Sequence, residues 1–378
     1  MDIMKKKILF LLHTPPPVHG SSLVGSYIQK STIIGETFQT TYINIGTSLS
    51  VADIGKKNIS KVATFLKLLY SLIKTLNTIK PDLVYIAITS KGIGFYKDFF
   101  FVLISKLLGY KIVFHFHNKG VSLNQNKIID NFLYWLAFSN TNAIILSQRL
   151  YDDIKKYFNK KAVNVCPNGI PEEKIETSIP LSYTKKETHF LYLSNLYKSK
   201  GVHILLKALK LLKNQSKDFR CSIVGGEGDV STQELNSLIK KMDLEKEVVY
   251  LGKRYGEEKT QIFKMADVFV FPTYYDYETF GLVNIEAMMY GLPVISTREG
   301  AIEDIVVDCE TGFLVKRKDH NDLAKKMKLF INTPEKISKM GKKAQERFFQ
   351  KFTLTTFENN LLNILLELTN QKPDEKHS

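Results

Sequence analysis

The chain has 378 residues, which is too long for one ordinary hydrophobic core and predicts two domains. Its 53 Lys and Arg against 38 Asp and Glu give a net charge of +15. This excess indicates an anionic partner such as a nucleotide, a nucleic acid or membrane headgroups; the alternative is that the charge serves solubility alone. Three widely spaced cysteines, Cys166, Cys221 and Cys309, form no C-x-x-C pair. They indicate neither a disulfide framework nor a zinc site and favour a reducing compartment.

The beginning of the chain imitates a secretory signal without meeting its requirements. Three lysines precede the apolar run Ile8–Leu12, but five apolar residues followed by His13 and three prolines are too few for a signal peptide. We therefore predict a first β-strand here. Since no apolar run reaches the length that spans a bilayer, we expect a cytoplasmic protein, with peripheral contact at the inner face of the cytoplasmic membrane left open.

Apolar runs and helical patterns alternate through residues 1–178, which predicts an N-terminal α/β domain with a parallel sheet. The turn after the first strand contains Gly20 and Ser21 and leads into a helix pattern at Leu23–Gln29. Ligands bind beyond the carboxyl ends of parallel strands, so this turn is either the edge of a binding cleft or only a connection. The predicted strands of this domain are residues 7–12, 39–44, 83–88, 111–116, 142–146 and 162–166.

Two helical segments of this domain combine apolar residues with lysines. In residues 59–76 an apolar stripe flanked by lysines favours a helix packed on the sheet over a membrane-surface helix. In residues 95–108 three consecutive aromatic residues, Phe99, Phe100 and Phe101, exceed what one buried face needs. Contact of this segment with an anionic membrane surface is therefore one open interpretation, in which headgroups would meet Lys97, Lys106 and Lys111.

His115 and His117 stand at the end of a predicted strand. Two positions apart, they share one face of that strand, with Phe114 and Phe116 on the other. Both could border the cleft, and His117 is the predicted site residue because it lies nearer the strand end. A hydrogen-bonded structural histidine is the alternative.

The strand and helix rhythm restarts after a predicted linker at 171–187 and indicates a C-terminal domain over residues 187–350. Its predicted strands are residues 189–194, 220–224, 247–251, 267–271 and 293–297. Lys200 follows the first of them and could reach a phosphate as a point charge, although a lysine alone is more often a solvated surface residue. A helix over 351–371, expected to pack back on the N-terminal domain, precedes a polar tail at 372–378 that is predicted to be disordered.

The segment 278–293 sets two acids eight positions apart. Glu286 lies inside an otherwise apolar helix pattern, where a carboxylate needs a partner. Glu278 precedes that helix in an open, tyrosine-rich loop. Gly281 between them leaves the first helical amides uncrowded, which makes an anion site. The order of acid, anion site and acid matches the sugar hydroxyls, pyrophosphate and ribose hydroxyls of a nucleotide sugar.

With these elements placed, the chain resembles the family-4 retaining glycosyltransferases of the bacterial group 1 type. That resemblance implies a GT-B fold, with two Rossmann-like doubly wound parallel-sheet domains facing across a cleft. It covers nearly the whole chain and is densest from Leu193 to Val315. The motifs that carry it are Glu278–Pro293, Pro167–Gly169, Ser199–Gly201, Ala266-Asp267 with Phe271-Pro272, and Glu310–Val315.

Membership of this family would give the matching residues definite roles. Glu278 and His117 are the implied catalytic residues: Glu278 would orient the donor sugar, and His117 would close the donor site with the turn at Gly20 and Ser21. The implied donor contacts are Glu286 on the ribose, Lys200 on the leaving phosphate, the amides of Phe280, Gly281, Leu282 and Val283 on the pyrophosphate, and Lys253 and Arg254 near the base.

The sequence departs from the family pattern at a few positions. Asn195 stands where an arginine usually shares the phosphate with the lysine, so either Lys198 substitutes or the pyrophosphate is held less electrostatically. Gly20-Ser21 and Glu299-Gly300 each replace a more usual glycine pair. These departures concern the donor and not the fold.

The expected reaction is metal-independent and uses no cofactor, because no Asp-x-Asp cation site is present. A sugar would pass with retention from a UDP- or GDP-sugar to a hydroxyl of a saccharide or lipid-linked acceptor in bacterial surface polysaccharide or lipopolysaccharide synthesis. A double displacement with Glu278 as nucleophile is the alternative.

Two other functions stay open. A nucleotide-sugar epimerase or hydrolase would use the same cleft without an acceptor. A basic nucleic-acid-binding protein would explain the charge, but it leaves Glu286 unexplained and the sequence has no nucleic-acid motif, so no nucleic-acid partner is expected.

Overall fold

The computed structural model describes residues 5–46, 59–173, 187–215 and 219–370. The chain divides into unit 1, Met1–Gly169 with Leu354–Ser378, and unit 2, Ile170–Thr353. The N-terminal domain was predicted to end at residue 178, but unit 1 gives way to unit 2 already after Gly169. The C-terminal domain was predicted to end at residue 350, but unit 2 extends to Thr353. The predicted linker lies mostly, and the predicted disordered tail wholly, outside the described residues.

Unit 1 contains a six-stranded parallel sheet in the order β2-β1-β3-β4-β5-β6. Its strands are β1 (Lys7–Leu12), β2 (Gln39–Asn44), β3 (Leu83–Ile88), β4 (Ile112–Phe116), β5 (Asn142–Ile145) and β6 (Val163–Val165). The helices of its first part are α1 (Gly20–Lys30), α2 (Thr32–Thr37), α3 (Ile59–Ile79), α4 (Gly92–Leu107), α5 (Val121–Asn124), α6 (Ile128–Phe138) and α7 (Tyr151–Ile154).

Continuous apolar runs explain why these strands form the centre of the unit. All six residues of β3 are buried, as expected of a parallel strand with helices over both faces of its sheet. All six predicted strands of this half are present, within one residue at each end.

Unit 2 repeats this architecture with the strand order β12-β11-β10-β7-β8-β9. Its strands are β7 (Thr188–Leu193), β8 (Phe219–Val224), β9 (Val248–Tyr250), β10 (Val268–Phe271), β11 (Val294–Thr297) and β12 (Gly312–Val315). Its helices are α8 (Val202–Lys213), α9 (Thr232–Lys241), α10 (Gly256–Met265), α11 (Leu282–Met289), α12 (Ile302–Ile305), α13 (His320–Asn332) and α14 (Glu335–Lys351). The sequence analysis did not predict β12, whose apolar run consists of only three residues, Phe313–Val315, between Gly312 and Lys316.

The strand order reverses once in each sheet. In unit 1 the reversal lies between β1 and β3, and in unit 2 it lies between β7 and β10. The loops that leave two such strands diverge to opposite faces of the sheet and open a crevice at their carboxyl ends, where open α/β sheets bind ligands.

The last helix, α15 (Leu354–Asn370), packs on unit 1. It contacts α2, and the Lys111 ammonium donates a 2.7 Å hydrogen bond to the Leu368 carbonyl. Across the described residues, no helix combines the length and apolar character that crossing a bilayer requires.

The segment 95–108 does not expose its aromatic residues as the membrane interpretation expected. Phe99 and Phe101 are buried, and of the three phenylalanines only Phe100 is exposed. Lys97 and Lys106 donate to backbone carbonyls inside unit 1. Burial of Lys106 lowers its pKa to about 8. The segment is mainly a packed helix, because its aromatic residues fill the space between the sheet and neighbouring helices.

We expect Gly201→Ala to destabilise unit 2 more than Gly252→Ala does. Both glycines have positive φ, +90° and +71°, which costs an alanine about 1–2 kcal/mol. A Cβ at Gly201 would also lie 2.1 Å from the Pro272 carbonyl oxygen, whereas nothing lies within 4 Å of a Cβ at Gly252. The close approach should add about 1–3 kcal/mol.

Urea unfolding of both variants measures the difference. Equal losses of unfolding free energy would show that the loops after β7 and β10 do not approach each other as closely as described.

Candidate functional site

The reversal point of the unit 2 sheet holds an ion pair between the two diverging loops. Lys200 follows β7, Glu278 follows β10, and Lys200 Nζ lies 2.7 Å from Glu278 Oε2. The ammonium also lies 4.6 Å from the centre of the Tyr275 ring, a cation–π contact. Two predicted site residues, 78 positions apart in sequence, are therefore in direct contact at the place where the topology predicts a ligand.

Backbone contacts hold this pair in position. The Tyr274 amide donates a 2.7 Å hydrogen bond to the Ser199 carbonyl, which joins the two loops. Gly300 lies so close behind Glu278 that a Cβ there would approach its carbonyl oxygen to 2.4 Å. Glu278 is only 8% exposed. The prediction of an open loop was therefore wrong, because Gly300 packs against the backbone of Glu278 and the side chain is buried with Lys200 as its partner.

The N-terminus of α11 lies directly beyond Glu278. Gly281 precedes the helix in the left-handed region, and no side chain caps the helix. Leu282 and Val283 form its first turn and are half-buried, so their amides border solvent. Asn284 is fully buried, and neither of its side-chain polar atoms has a hydrogen-bond partner. The arrangement fits the predicted anion site, with Asn284 as an additional polar group that the sequence analysis did not identify.

Glu286 has a partner that the sequence analysis missed. Lys259 of α10 places its Nζ 2.7 Å from Glu286 Oε1, while Oε2 is buried and makes no hydrogen bond. One carboxylate oxygen is thus neutralised and oriented, and the other remains an acceptor for a ligand hydroxyl. Lys259 could not be identified from sequence because it lies 27 positions away on another helix.

The far end of α11 is tied to the segment that precedes unit 2's first strand. Tyr290 donates a hydrogen bond to Glu173, and Thr260 lies 3.1 Å from the same carboxylate. The Tyr290 ring stacks on Phe263 of α10 at 5.0 Å. These contacts fix α11 against α10, and therefore fix Glu286 against Lys259.

The other predicted donor residues of unit 2 are more loosely placed. Asn195 accepts a hydrogen bond from the Gly226 amide, and Lys198 lies near Glu234, so Lys198 does not replace the missing arginine in this conformation. Lys253 is exposed, with its side chain packed over Gly226. Arg254 faces Glu258 at 3.7 Å, and Phe280 is buried against Phe352.

The predicted site residue His117 lies in a cluster of histidines at the carboxyl ends of β1 and β4. The rings of His115 and His117 lie 4.0 Å apart, as their spacing on the strand predicted. His115 is fully buried against the Tyr85 hydroxyl, so His117 alone reaches the half-exposed layer. His19 caps α1, where its Nδ1 accepts from the Ser22 amide.

The predicted turn residues Gly20 and Ser21 lie in the first turn of α1. The helix begins at Gly20, three residues before the predicted start. The prediction placed the start too late because the sequence analysis did not recognise that His19 caps the helix and bonds reciprocally with Ser22.

Burial keeps the histidines neutral. The pKa of His117 falls to about 3, chiefly because burial destabilises the charged ring and further because His13 and His19 would repel that charge. Burial likewise lowers the pKa of His13 to about 4. His117 is therefore uncharged at neutral pH.

No set of three or more His, Cys, Asp or Glu side chains in the described ranges is arranged to share a metal ion. Lys200 and Lys259 place cationic groups directly beside Glu278 and Glu286.

Known proteins resemble this chain in sequence. Residues 173–347 match the model of the family described as glycosyl transferases group 1. An uncharacterized glycosyltransferase of Methanocaldococcus jannaschii is 28% identical over 218 residues, 54% of each chain. A capsular polysaccharide biosynthesis glycosyltransferase of Staphylococcus aureus is 29% identical over 163 residues, 43% of this chain and 41% of that protein. The chain thus spans about half the length of these curated relatives.

Solved structures share the fold. The crystal structure of HepE from Anabaena in complex with UDP and glucose aligns with a TM-score of 0.72 at 19% identity, over 96% of this chain and all of that one. The predicted GT-B fold with two Rossmann-like parallel-sheet domains is confirmed.

Acidification should destabilise unit 1 through the histidine cluster. In the unfolded chain these histidines gain a proton near pH 6.5, whereas folded His117 and His13 do so only near pH 3 and pH 4. Between these values the unfolded state binds more protons, so stability is lost as pH falls from about 6.5 towards 4, by up to about 1.4 kcal/mol per pH unit for each histidine.

The measurement is the unfolding free energy of wild type and His117→Gln at a series of pH values in this window. The variant should show a shallower pH dependence. The same slope in both proteins would contradict a neutral, buried His117.

Proposed function

Because residues 173–347 match the model of the group 1 glycosyl transferase family, we propose that this chain transfers a sugar from a nucleoside diphosphate sugar to a hydroxyl of a saccharide or lipid-linked acceptor. Unit 2 would bind the donor and unit 1 the acceptor. The relative from Staphylococcus aureus acts in capsular polysaccharide biosynthesis by its name, which favours a role in bacterial surface polysaccharide or lipopolysaccharide synthesis.

The observation that carries this proposal is the paired arrangement around the N-terminus of α11. Lys200 with Glu278 lies on one side of the helix start, and Lys259 with Glu286 lies one to two turns along it. Glu286 stands five residues beyond Gly281, roughly 7 Å along the axis. A diphosphate at the helix start would face Lys200, and the free oxygen of Glu286 would face the nucleoside ribose. The HepE structure was obtained with UDP and glucose, which supports a uridine nucleotide.

We propose a retaining reaction without a required metal ion. The bond from the anomeric carbon to the diphosphate oxygen breaks, with the leaving charge stabilised by Lys200 and the α11 amides. The acceptor oxygen bonds to the same face of that carbon, and its proton passes to the departing phosphate. Glu278 orients the sugar and favours the positive charge that develops on the ring.

The ion pair implies that donor binding changes the partners of Lys200. In the described conformation its ammonium is bound to Glu278. A diphosphate at the helix start competes for this ammonium and leaves the Glu278 carboxylate to accept from sugar hydroxyls. The same pair therefore holds both groups in place before the donor arrives.

We expect Glu278→Gln to reduce turnover by roughly 10²–10³ without weakening nucleotide binding, because the lost negative charge matters most in the transition state. Glu245→Gln is the matched control: it makes the same chemical change at an exposed carboxylate of unit 2. Initial rates and calorimetric nucleotide binding separate the two effects. Unchanged turnover in Glu278→Gln would remove Glu278 from the catalytic assignment.

A thermal-shift panel of UDP-, GDP- and ADP-sugars, followed by product analysis with candidate acceptors, tests the function as a whole. We expect one nucleotide to raise the melting temperature, and Glu286→Gln to diminish that shift. The product should be a glycoside of the acceptor with the anomeric configuration of the donor, formed equally well with a chelator present. Conversion of donor without acceptor would instead indicate an epimerase or hydrolase, and no shift with any nucleotide would contradict the proposal.

A further inference from the structure

Unit 1 exposes an apolar surface along α4 and α6, of which the sequence analysis singled out only the α4 segment. Its exposed side chains, here called the aromatic face, are Tyr96, Phe100, Ile128, Ile129, Phe132 and Trp135. Trp135 is 61% and Phe132 58% exposed, and their rings stack at 6.5 Å. Exposure on this scale over two adjacent helices exceeds the scattered apolar residues of an ordinary protein surface.

The aromatic face is continuous across the two helices. A groove of about 370 Å³ runs between them, lined by Tyr96, Phe99 and Phe100 of α4 and by Ile129 and Leu133 of α6. On its other side Phe100 meets Phe65 of α3 at 5.7 Å. The surface is thus one patch that could lie against a single partner.

The charge around this patch is one-sided. Both acids of α4 and α6 are turned inward: Asp98 is fully buried, and Asp130 is buried with its carboxylate on the Tyr96 hydroxyl. Lys156 lines a depression of about 430 Å³ beside Trp135, and Lys160 and Lys161 stand exposed next to the same depression. No carboxylate on these two helices therefore faces solvent to repel an anionic partner.

The whole N-terminal segment shares this bias. Residues 1–169 contain 21 Lys and Arg against 8 Asp and Glu, so they carry +13 of the total charge of +15. A second copy of the chain on the aromatic face would bring two such segments together, and the repulsion opposes it. An anionic lipid surface complements both features, because aromatic rings lie at the headgroup level while lysines reach the phosphates.

We propose that the aromatic face of α4 and α6 docks unit 1 on an anionic lipid bilayer, with Phe132 and Trp135 in the headgroup region and Lys156, Lys160 and Lys161 on lipid phosphates. This inference deepens the proposed function, since it explains how an acceptor held at a membrane would meet unit 1. It does not use the residues placed at the reversal point of unit 2.

Flotation with phosphatidylcholine vesicles, with and without phosphatidylglycerol, tests this surface. The full chain should float with the anionic vesicles at low salt and much less at high salt or with phosphatidylcholine alone. Phe132→Ser with Trp135→Ser should reduce the bound fraction about tenfold, because the variant lacks the two aromatic rings whose transfer from water into the membrane favours binding. Lys160→Gln with Lys161→Gln should weaken binding to anionic vesicles only.

Matched controls lie in unit 2. Phe349 is an exposed aromatic residue and Lys339 and Lys342 are exposed lysines, so Phe349→Ser and Lys339→Gln with Lys342→Gln should float like wild type. Melting temperatures verify that each variant is folded. Equal binding by the aromatic-face variant and its control, or no binding to anionic vesicles at low salt, would overturn the proposal.

Two further readouts separate this inference from the proposed function. If the wild type elutes as a dimer that Phe132→Ser with Trp135→Ser dissociates, the face is an interface between copies and the lipid proposal fails. If sugar transfer to a soluble acceptor proceeds but no vesicle binds, the lipid proposal fails and the enzyme function stands. Lipid binding without any transfer supports the face and contradicts the function.

Discussion

The ion pair between Lys200 and Glu278 depends on the topology of unit 2 and in turn sets its chemistry. Only where the strand order reverses do the loops after β7 and β10 leave the sheet side by side, which brings residues 78 positions apart to 2.7 Å. Both groups are largely withdrawn from water, so removing either partner would leave a buried charge at a cost of roughly 3–5 kcal/mol. A diphosphate that took over the lysine would keep the ammonium paired with an anion, and sugar hydroxyls would then have to solvate the Glu278 carboxylate.

Glu286 and Lys259 form a second lysine–carboxylate ion pair further along α11. In each pair a lysine holds a carboxylate in a fixed orientation, and at Glu286 one oxygen stays buried without a hydrogen bond. A buried acceptor of that kind costs about 1–3 kcal/mol until a donor fills it. Under the proposed function, a ligand hydroxyl would recover this cost on binding. The contacts of Tyr290 with Glu173 and Phe263 hold α11 in place.

The sequence predicted what depends on local pattern and missed what depends on contacts between distant segments. Buried parallel strands appear as apolar runs, so β1 to β11 were found, whereas the four residues of β12 gave too little signal. Glu278, Lys200 and Glu286 follow from their motifs. Lys259 is on another helix, and the backbone of Glu278 packs against a glycine 22 positions later. The phenylalanine run drew attention to α4, although the more exposed side chains are on α6.

The two units divide the charges between them in a way that fits their proposed tasks. Residues 1–169 carry nearly all of the net charge, yet the histidines at the carboxyl ends of β1 and β4 are held neutral by burial. Under the proposed function, an uncharged His117 would hydrogen-bond sugar hydroxyls as a neutral group. The surplus positive charge of residues 1–169 includes the exposed Lys156, Lys160 and Lys161 near the aromatic face.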